Sequence, residues 1–382
     1  MSEWNEYTVA DVISTVIDYR GKTPKKLGGD WSESGYRALS AKNIKTGKIV
    51  QVDSIRYVSE EMYRCWMKEE IQKGDILITS EAPFGQIYYW DSYEKIVLSQ
   101  RLFAVRVNKR FYSKYIYFYM ISSLFQAQLD SRATGTTVVG LRQPELLKCK
   151  IYAPDYQKQK RIADILWCIE QKINNNEMTN NNLEQQVYAV YQAWFEDFNR
   201  FDGICPQTWK KGILANIASI ASGKRPPMKS IDKTEEAIIP LVGAASVIGY
   251  TSEANHVDRI LVTGRVGTHG TIQRFNIPCW TSDNTLVITS DLYEYTYQLL
   301  QRIDYHSMNR GSTQPLITQG DMNKTAILLP DKEILNEFES LAGQLMAQVE
   351  ANIQENSKLA ELRDMLLPKL MSGELDVSDI DF

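Results

Sequence analysis

At 382 residues the chain is long enough to build two domains, each with its own core. Hydrophobic residues at 43% and charged residues at 24% are ordinary for a globular protein, and no run of about 18 apolar residues is present to cross a bilayer. The formal charge of −4 argues against a uniformly basic nucleic-acid binder, but the acids are concentrated: residues 331–382 hold 12 acids and 4 bases, so the other 330 residues carry about +4.

In chain order, Met1-Ser2-Glu3-Trp4-Asn5 is polar and acidic and does not read as a signal peptide. A basic segment follows. Arg20, Lys22, Lys25, Lys26, Arg37, Lys42, Lys45 and Lys48 face only Asp30 and Glu33, a balance able to neutralise phosphates. Apolar, β-branched runs bounded by turn formers predict strands over Asp75–Ser80 and Lys95–Val107. Helical spacing predicts a helix over Lys114–Ser131, whose Tyr115, Tyr117, Phe118 and Tyr119 are expected to pack a core rather than stack on bases. From Tyr156 to Phe198 the apolar positions alternate by four and three, a sustained heptad seam. Such a helix would be about 64 Å long at 1.5 Å per residue, too long to bury its stripe inside one small domain. A further strand is expected over Thr285–Ser290, and a second long helix from Glu333 to about Leu370.

Self-comparison orders these elements. At an offset of 176, Gly135-Thr136-Thr137 falls on Gly311-Ser312-Thr313, and Pro154-Asp155 on Pro330-Asp331. The register continues through both long helices, where Ile162, Ile169, Asn176, Asn180 and Trp194 fall on Phe338, Leu345, Asn352, Asn356 and Leu370. Upstream the offset drifts: Gly74–Thr79 resembles Asp258–Thr263 at 184, and Gly21-Lys22-Thr23-Pro24 resembles Gly223-Lys224-Arg225-Pro226 at 202. A duplication explains this, each copy being a variable mixed α/β domain followed by a shared helix. If the helices pack antiparallel about a pseudo-two-fold, facing residue numbers sum to 532. That sum pairs Asn176 with Asn356, Asn180 with Asn352, Ile162 with Leu370 and Trp194 with Phe338. Buried asparagines in such a seam cost stability but fix register.

Over nearly its whole length the chain resembles the specificity subunits of Type I restriction-modification systems. The resemblance rests on Gly21-Lys22-Thr23-Pro24, the Gly135-Thr136-Thr137 turn, Pro154–Ile162 at the start of the first long helix, Trp194-Phe195-Glu196-Asp197-Phe198 at its end, and Leu366–Leu375. It departs from the family pattern at Lys158-Gln159, where Glu-Gln is usual, at Ile334-Leu335-Asn336, and at Arg225-Pro226. The resemblance implies a mixed α/β fold (α+β) with two target-recognition domains, at 1–155 and 201–330. Antiparallel coiled-coil helices at 156–200 and 331–382 would separate them as a spacer. It implies that each domain reads one half of a bipartite DNA target. Expected partners are double-stranded DNA, two modification (methyltransferase) subunits and restriction subunits, with no membrane. S-adenosylmethionine, ATP and magnesium are expected on those partners, and no cofactor on this chain.

The residues agree with a non-catalytic subunit. There is no Asn/Asp-Pro-Pro-Tyr/Phe motif and no phosphate loop; Gly264, Gly267 and Gly270 lack the lysine and strand-to-helix context and read as a turn. His256, His269 and His306 lack metal-ligand spacing, so no metal site is expected. Cys65, Cys149, Cys168, Cys205 and Cys279 form no Cys-x-x-Cys pair, which points away from disulfides and zinc and towards a reducing cytoplasm. Pro154-Asp155 with Glu170-Gln171-Lys172 imitates a nuclease pattern, but Glu170 falls in the middle of a heptad helix. Candidate DNA contacts in the first domain are Lys22, Thr23, Lys25, Lys26, Lys42, Asn43, Arg101, Arg132, Thr134, Thr136, Thr137 and Arg142. In the second they are Lys224, Arg225, Arg265, His269, Asn309, Arg310, Ser312, Thr313 and Gln314. The recurring polar turns suit phosphate positioning, and base reading is expected where the copies differ. Two other classes remain open at this stage: a scaffold or anti-restriction protein with degenerate recognition domains, and the specificity region of a single-chain restriction-methyltransferase.

Overall fold

The computed structural model describes residues 4–134, 139–266, 268, 270–308 and 316–377. The chain forms two compact units, Met1–Asn175 with Glu355–Phe382, and Asn176–Gln354. The sequence boundaries separate domains from helices by chain position. Compactness draws a different line, because each long helix contributes one half to each unit.

In the first unit Ile76–Thr79 is buried along its whole length, as a strand covered on both faces must be. It lies in a four-stranded antiparallel sheet ordered Ile13–Asp18, Leu102–Val107, Ile76–Thr79, Ile87–Tyr89. A three-stranded sheet places Tyr36–Leu39 between Arg56–Val58, antiparallel, and Ile96–Leu98, parallel. Asn5–Thr8 pairs antiparallel with Lys150–Ala153. The run expected as one strand over Lys95–Val107 is thus two strands in two sheets, joined by Ser99-Gln100-Arg101. Arg101 adopts a left-handed φ of 62°, which ends the extended run. The expected helix over Lys114–Ser131 is likewise two, Ser113–Ile121 and Ser123–Arg132, because Ser122 takes extended backbone at ψ 152°. Tyr115, Tyr117, Phe118 and Tyr119 are buried in the main core of this unit, together with Ile162, Leu166, Leu367 and Leu370 from the long helices.

The second unit repeats these three sheets, while the hairpin of Ile44–Lys45 with Lys48–Ile49 in the first unit has no counterpart among its described strands. Its four-stranded sheet is ordered Ser219–Ser222, Thr285–Thr289, Ile260–Gly264, Gln273–Phe275. Ile239–Val242 lies between antiparallel Val247–Thr251 and parallel Trp280–Thr281, and Lys210–Ile213 pairs with Ala326–Leu329. Its core joins Tyr295 from the helix Tyr293–Leu300 to Val187, Tyr191, Phe338 and Met346 of the long helices. The carboxylate of Glu339 accepts the backbone N–H groups of Glu294 and Tyr295 at 3.1 and 2.6 Å, and so caps that domain helix from a long helix.

The long helices are Tyr156–Tyr191, followed by a π-helical turn over Gln192–Glu196, and Lys332–Ser372. They run antiparallel in each unit. In the first, Arg363 meets Glu170 at 2.9 Å, Lys172 meets Glu355 at 3.0 Å, and Lys158 meets Asp376 at 2.9 Å. The Asn356 side-chain amide donates to the Ile173 carbonyl at 3.4 Å. In the second, Asn352 Nδ2 donates to Asn180 Oδ1 at 2.7 Å with both residues buried, and the Trp194 and Phe338 rings lie 6.1 Å apart. Asn176 is also buried.

Candidate nucleic-acid interface

The nuclease-like pattern dissolves on inspection. Asp155 Oδ1 accepts the Lys158 backbone N–H at 3.0 Å as a helix cap, while Glu170 and Lys172 are spent on ion pairs between the long helices. Among the described residues no three His, Cys, Asp or Glu side chains converge as a metal would require.

The polar groups of the first domain gather instead around the link between its two sheets. One cleft of about 730 Å³ is lined by Arg20, Thr23, Lys26, Ser80, Glu81, Gln100 and Arg101 among others. A second of about 250 Å³ is lined by Trp31, Lys42, Arg56, Gln100 and Arg101 among others. The two share Gln100 and Arg101, so Thr23, Lys26, Lys42 and Arg101 belong to one surface. Local chemistry explains its shape. Pro24 opens a 3₁₀ turn over Lys25–Leu27 that ends at Gly28, whose φ of 82° suits glycine. This turn leaves Lys25 exposed, while Lys26 donates to the Gly21 carbonyl at 2.8 Å. Lys22 donates to the Trp66 carbonyl at 3.0 Å and lies 4.4 Å from the centre of the Tyr19 ring, so its charge is partly committed to the domain.

Several bases of the segment Arg20–Lys48 are paired within the fold. Arg20 chelates Asp18, and Arg37 Nε bonds Glu94 at 2.6 Å. Arg101 bonds Glu81 at 3.0 Å from an exposed position. Asn43 is corrected by the structure. It is 1% exposed, its Oδ1 accepts from the Ser40 N–H and hydroxyl at 3.1 and 2.8 Å, and its Nδ2 reaches the Gln51 carbonyl at 3.2 Å. Its amide is spent on the loop that presents Lys42 and has nothing left for DNA.

Arg132 stands apart from these clefts, half-buried and 3.6 Å from Glu145, and Arg142 is exposed just before the short helix Gln143–Leu147. Thr134 is exposed and bridges Gly140 through the backbone, beside Ser80. Thr136 and Thr137 lie outside the described residues, as do His269, Asn309, Arg310, Ser312, Thr313 and Gln314.

In the second domain Lys224 and Arg225 are exposed. The Lys224 backbone is pinned by its N–H to the Thr281 carbonyl at 2.9 Å and by Trp280 Nε1 donating to the Lys224 carbonyl at 2.8 Å. A cleft of about 540 Å³ is lined by Arg225, Lys229, Ser282, Asp283 and Asn284 among others. Arg265 is half-buried beside it, its N–H bonded to the Asn284 carbonyl at 2.8 Å. Next to Lys224, burial first and the lysine charge second hold the His256 imidazole below its usual pKa.

Sequence reasoning missed Trp31, Arg56, Glu81, Gln100, Lys229, Asp283 and Asn284. The sharpest signal for the last two was available: at an offset of 183, Ser99-Gln100-Arg101 falls on Ser282-Asp283-Asn284, each followed by an apolar strand.

Two domains of one topology, each carrying basic groups around a polar cleft, define a reader of nucleic acid. The family model for the Type I restriction modification DNA specificity domain matches residues 1–185 and 206–358, and the chain belongs to that family. Its role is DNA sequence specificity. It is 26% identical over 346 residues to the Type I restriction enzyme MjaIX specificity subunit of Methanocaldococcus jannaschii, covering 81% of this chain and 79% of that one. It is 20% identical to the HindI specificity subunit of Haemophilus influenzae, covering 98% and 100%. In fold it is similar to the crystal structure of a Type I restriction-modification S subunit from M. genitalium, with a TM-score of 0.64, 17% identity, and coverage of 97% and 96%.

Proposed function

We propose that each recognition domain reads one half of a bipartite DNA target, and that the chain acts as a non-catalytic subunit docking two modification subunits and, for cleavage, restriction subunits. The observation that carries this reading is the repetition of one topology with a different polar cleft in each copy. Like scaffolds with different clefts suit two unlike half-sites. Both domains also keep complete sheets and closed cores, which degenerate recognition domains of a mere scaffold would have no reason to retain. Exposed lysines such as Lys25 and Lys42 supply sequence-independent attraction to phosphates. S-adenosylmethionine, ATP and magnesium belong, on this reading, to the partner subunits, and the assembly works in the cytoplasm. Among the described residues no helix is long and apolar enough to cross a membrane.

Methylation profiling of DNA from cells holding the modification subunit, with and without this chain, tests the proposal. A gapped, adenine-methylated motif that appears only with the chain is the expected result. Methylation indifferent to the chain would overturn it.

A further inference from the structure

The two links between sheets, Ser99–Arg101 and Ser282–Asn284, are held by the same backbone hydrogen bonds. The Ser99 N–H donates to the Leu39 carbonyl at 2.7 Å, and the Ser282 N–H to the Val242 carbonyl at 3.0 Å; both acceptors end the central strand of a three-stranded sheet. Ser80 N–H donates to the Arg101 carbonyl at 2.9 Å, and Arg265 N–H to the Asn284 carbonyl at 2.8 Å; both donors follow a buried strand of the four-stranded sheet. The carbonyls of Ser80 and Arg265 in turn accept from Leu141 at 2.9 Å and Ile317 at 3.0 Å, at the C-terminal side of each polar loop. The strands beyond match in register as well, Leu102 facing Thr79 and Thr285 facing Gly264.

Burial follows the same plan. Ser99 and Ser282 are buried at 6% and 4% exposure, whereas Gln100, Arg101, Asp283 and Asn284 are exposed. Each link lines a cleft of its domain, and in the first domain it lines both. A backbone tied to two sheets at once cannot drift, so the two exposed side chains are presented from a fixed platform. The exposed side chains differ in chemistry between the copies, and the backbone differs at one position, Arg101 taking a left-handed φ of 62° that Asn284 does not share. Gln and Asn pair bidentately with adenine N6/N7, Arg with guanine O6/N7, and a carboxylate accepts from cytosine N4. All four residue types are base readers, and phosphate binding alone would give no reason for Asp283.

We infer that Gln100–Arg101 and Asp283–Asn284 are equivalent two-residue specificity cassettes, each reading base edges of one half-site. The inference rests on the bipartite-reading proposal and sharpens it to four side chains. Glu81, bonded to Arg101, orients the guanidinium in the absence of DNA.

The test moves one cassette into the other domain in the full chain, assembled with its modification subunits: Gln100→Asp with Arg101→Asn, and separately Asp283→Gln with Asn284→Arg. Methylation profiling is expected to show altered or relaxed bases in one half of the motif only, with the other half and the gap unchanged. Binding assays should show a roughly 10- to 100-fold loss of discrimination at those bases, with affinity for scrambled duplex kept. An unchanged motif overturns the inference, and so does an equal loss on specific and scrambled DNA, which marks a phosphate contact. If a swapped chain melts early, Gln100→Ala and Asp283→Ala, which truncate exposed side chains, are read by the same criteria. A gapped motif that ignores every cassette variant sinks this inference alone, whereas no gapped motif with the unaltered chain sinks the reading beneath it.

Discussion

At Asn43 and Lys42 neighbouring residues divide the labour of one loop. Lys42 is exposed, while Asn43 is buried and ties the loop together. Lys42→Ala is expected to weaken binding to every duplex alike and lower the salt slope by about one, with specificity intact. Asn43→Ala instead leaves the Ser40 groups and the loop without partners and should cost about 2 kcal/mol in urea unfolding. A buried charge in the second domain makes the same distinction between scaffold and contact. Glu294 is 1% exposed and holds Arg259 at 2.7 Å and Arg274 at 2.5 Å. Burial works against the Arg274 charge, but its bonds to Glu294 keep its pKa above the usual arginine value. Glu294→Ala leaves that guanidinium, packed against Tyr293 and Tyr297, with only the weaker pair to Glu350 at 3.4 Å, and a loss of about 2–3 kcal/mol is expected by chemical denaturation.

At the scale of elements, the heptad spacing was enough to place both long helices, since a seam repeating over so many turns fits no other structure. It did not fix their direction, because the asparagines match in either orientation; the Asn352–Asn180 hydrogen bond and the Arg363–Glu170 and Lys172–Glu355 pairs make them antiparallel. Asn352→Ala should cost about 1–3 kcal/mol, as it strips the partner from a buried Asn180 amide. The pair Asn180→Leu with Asn352→Leu should recover or exceed the original stability while loosening register. A double-mutant cycle by denaturation reads the coupling, and disulfide trapping across the seam reads the register. The shorter elements were less legible. Lys95–Val107 has the composition of one strand, and nothing in its apolar pattern signals that Arg101 turns to a positive φ and sends the chain into a second sheet. Ser122 breaks the aromatic helix for a similarly local reason.

For the whole molecule, the net negative charge is compatible with DNA reading because residues 331–382 hold 12 acids against 4 bases, which leaves about +4 on the other 330 residues, and Lys26 and Lys42 line the clefts of the first domain. pH acts on stability through His256. Its folded pKa lies below the ordinary 6.5, so the unfolded chain takes up a proton first as pH falls. Stability linked to this group is therefore complete above about 6.5 and declines below it. Melting temperatures measured at about pH 7.5 and about pH 5.5 should fall on acidification, and the His256 share of that fall should vanish in His256→Asn.

The sequence by itself determined what depends on periodicity and repetition: two copies of a mixed α/β domain, the two long helices, and the likeness to a DNA-specificity family; the opposite directions of the helices were decided by the structure. It also located the basic segment proposed to supply phosphate contacts. Tertiary structure decided which polar residues meet. Thr23, Lys26, Lys42 and Arg101 stand far apart in the chain and share one surface because two sheets bring their loops together, while Asn43, adjacent to one of them, is turned inward. Of the cassette residues, Arg101 was already a candidate and the match at an offset of 183 pointed to Asp283 and Asn284, but their shared anchoring to two sheets was visible only in the structure. Their role comes from hydrogen bonds to carbonyls and N–H groups dozens of residues away, and a backbone bond of that kind leaves almost no trace in side-chain chemistry.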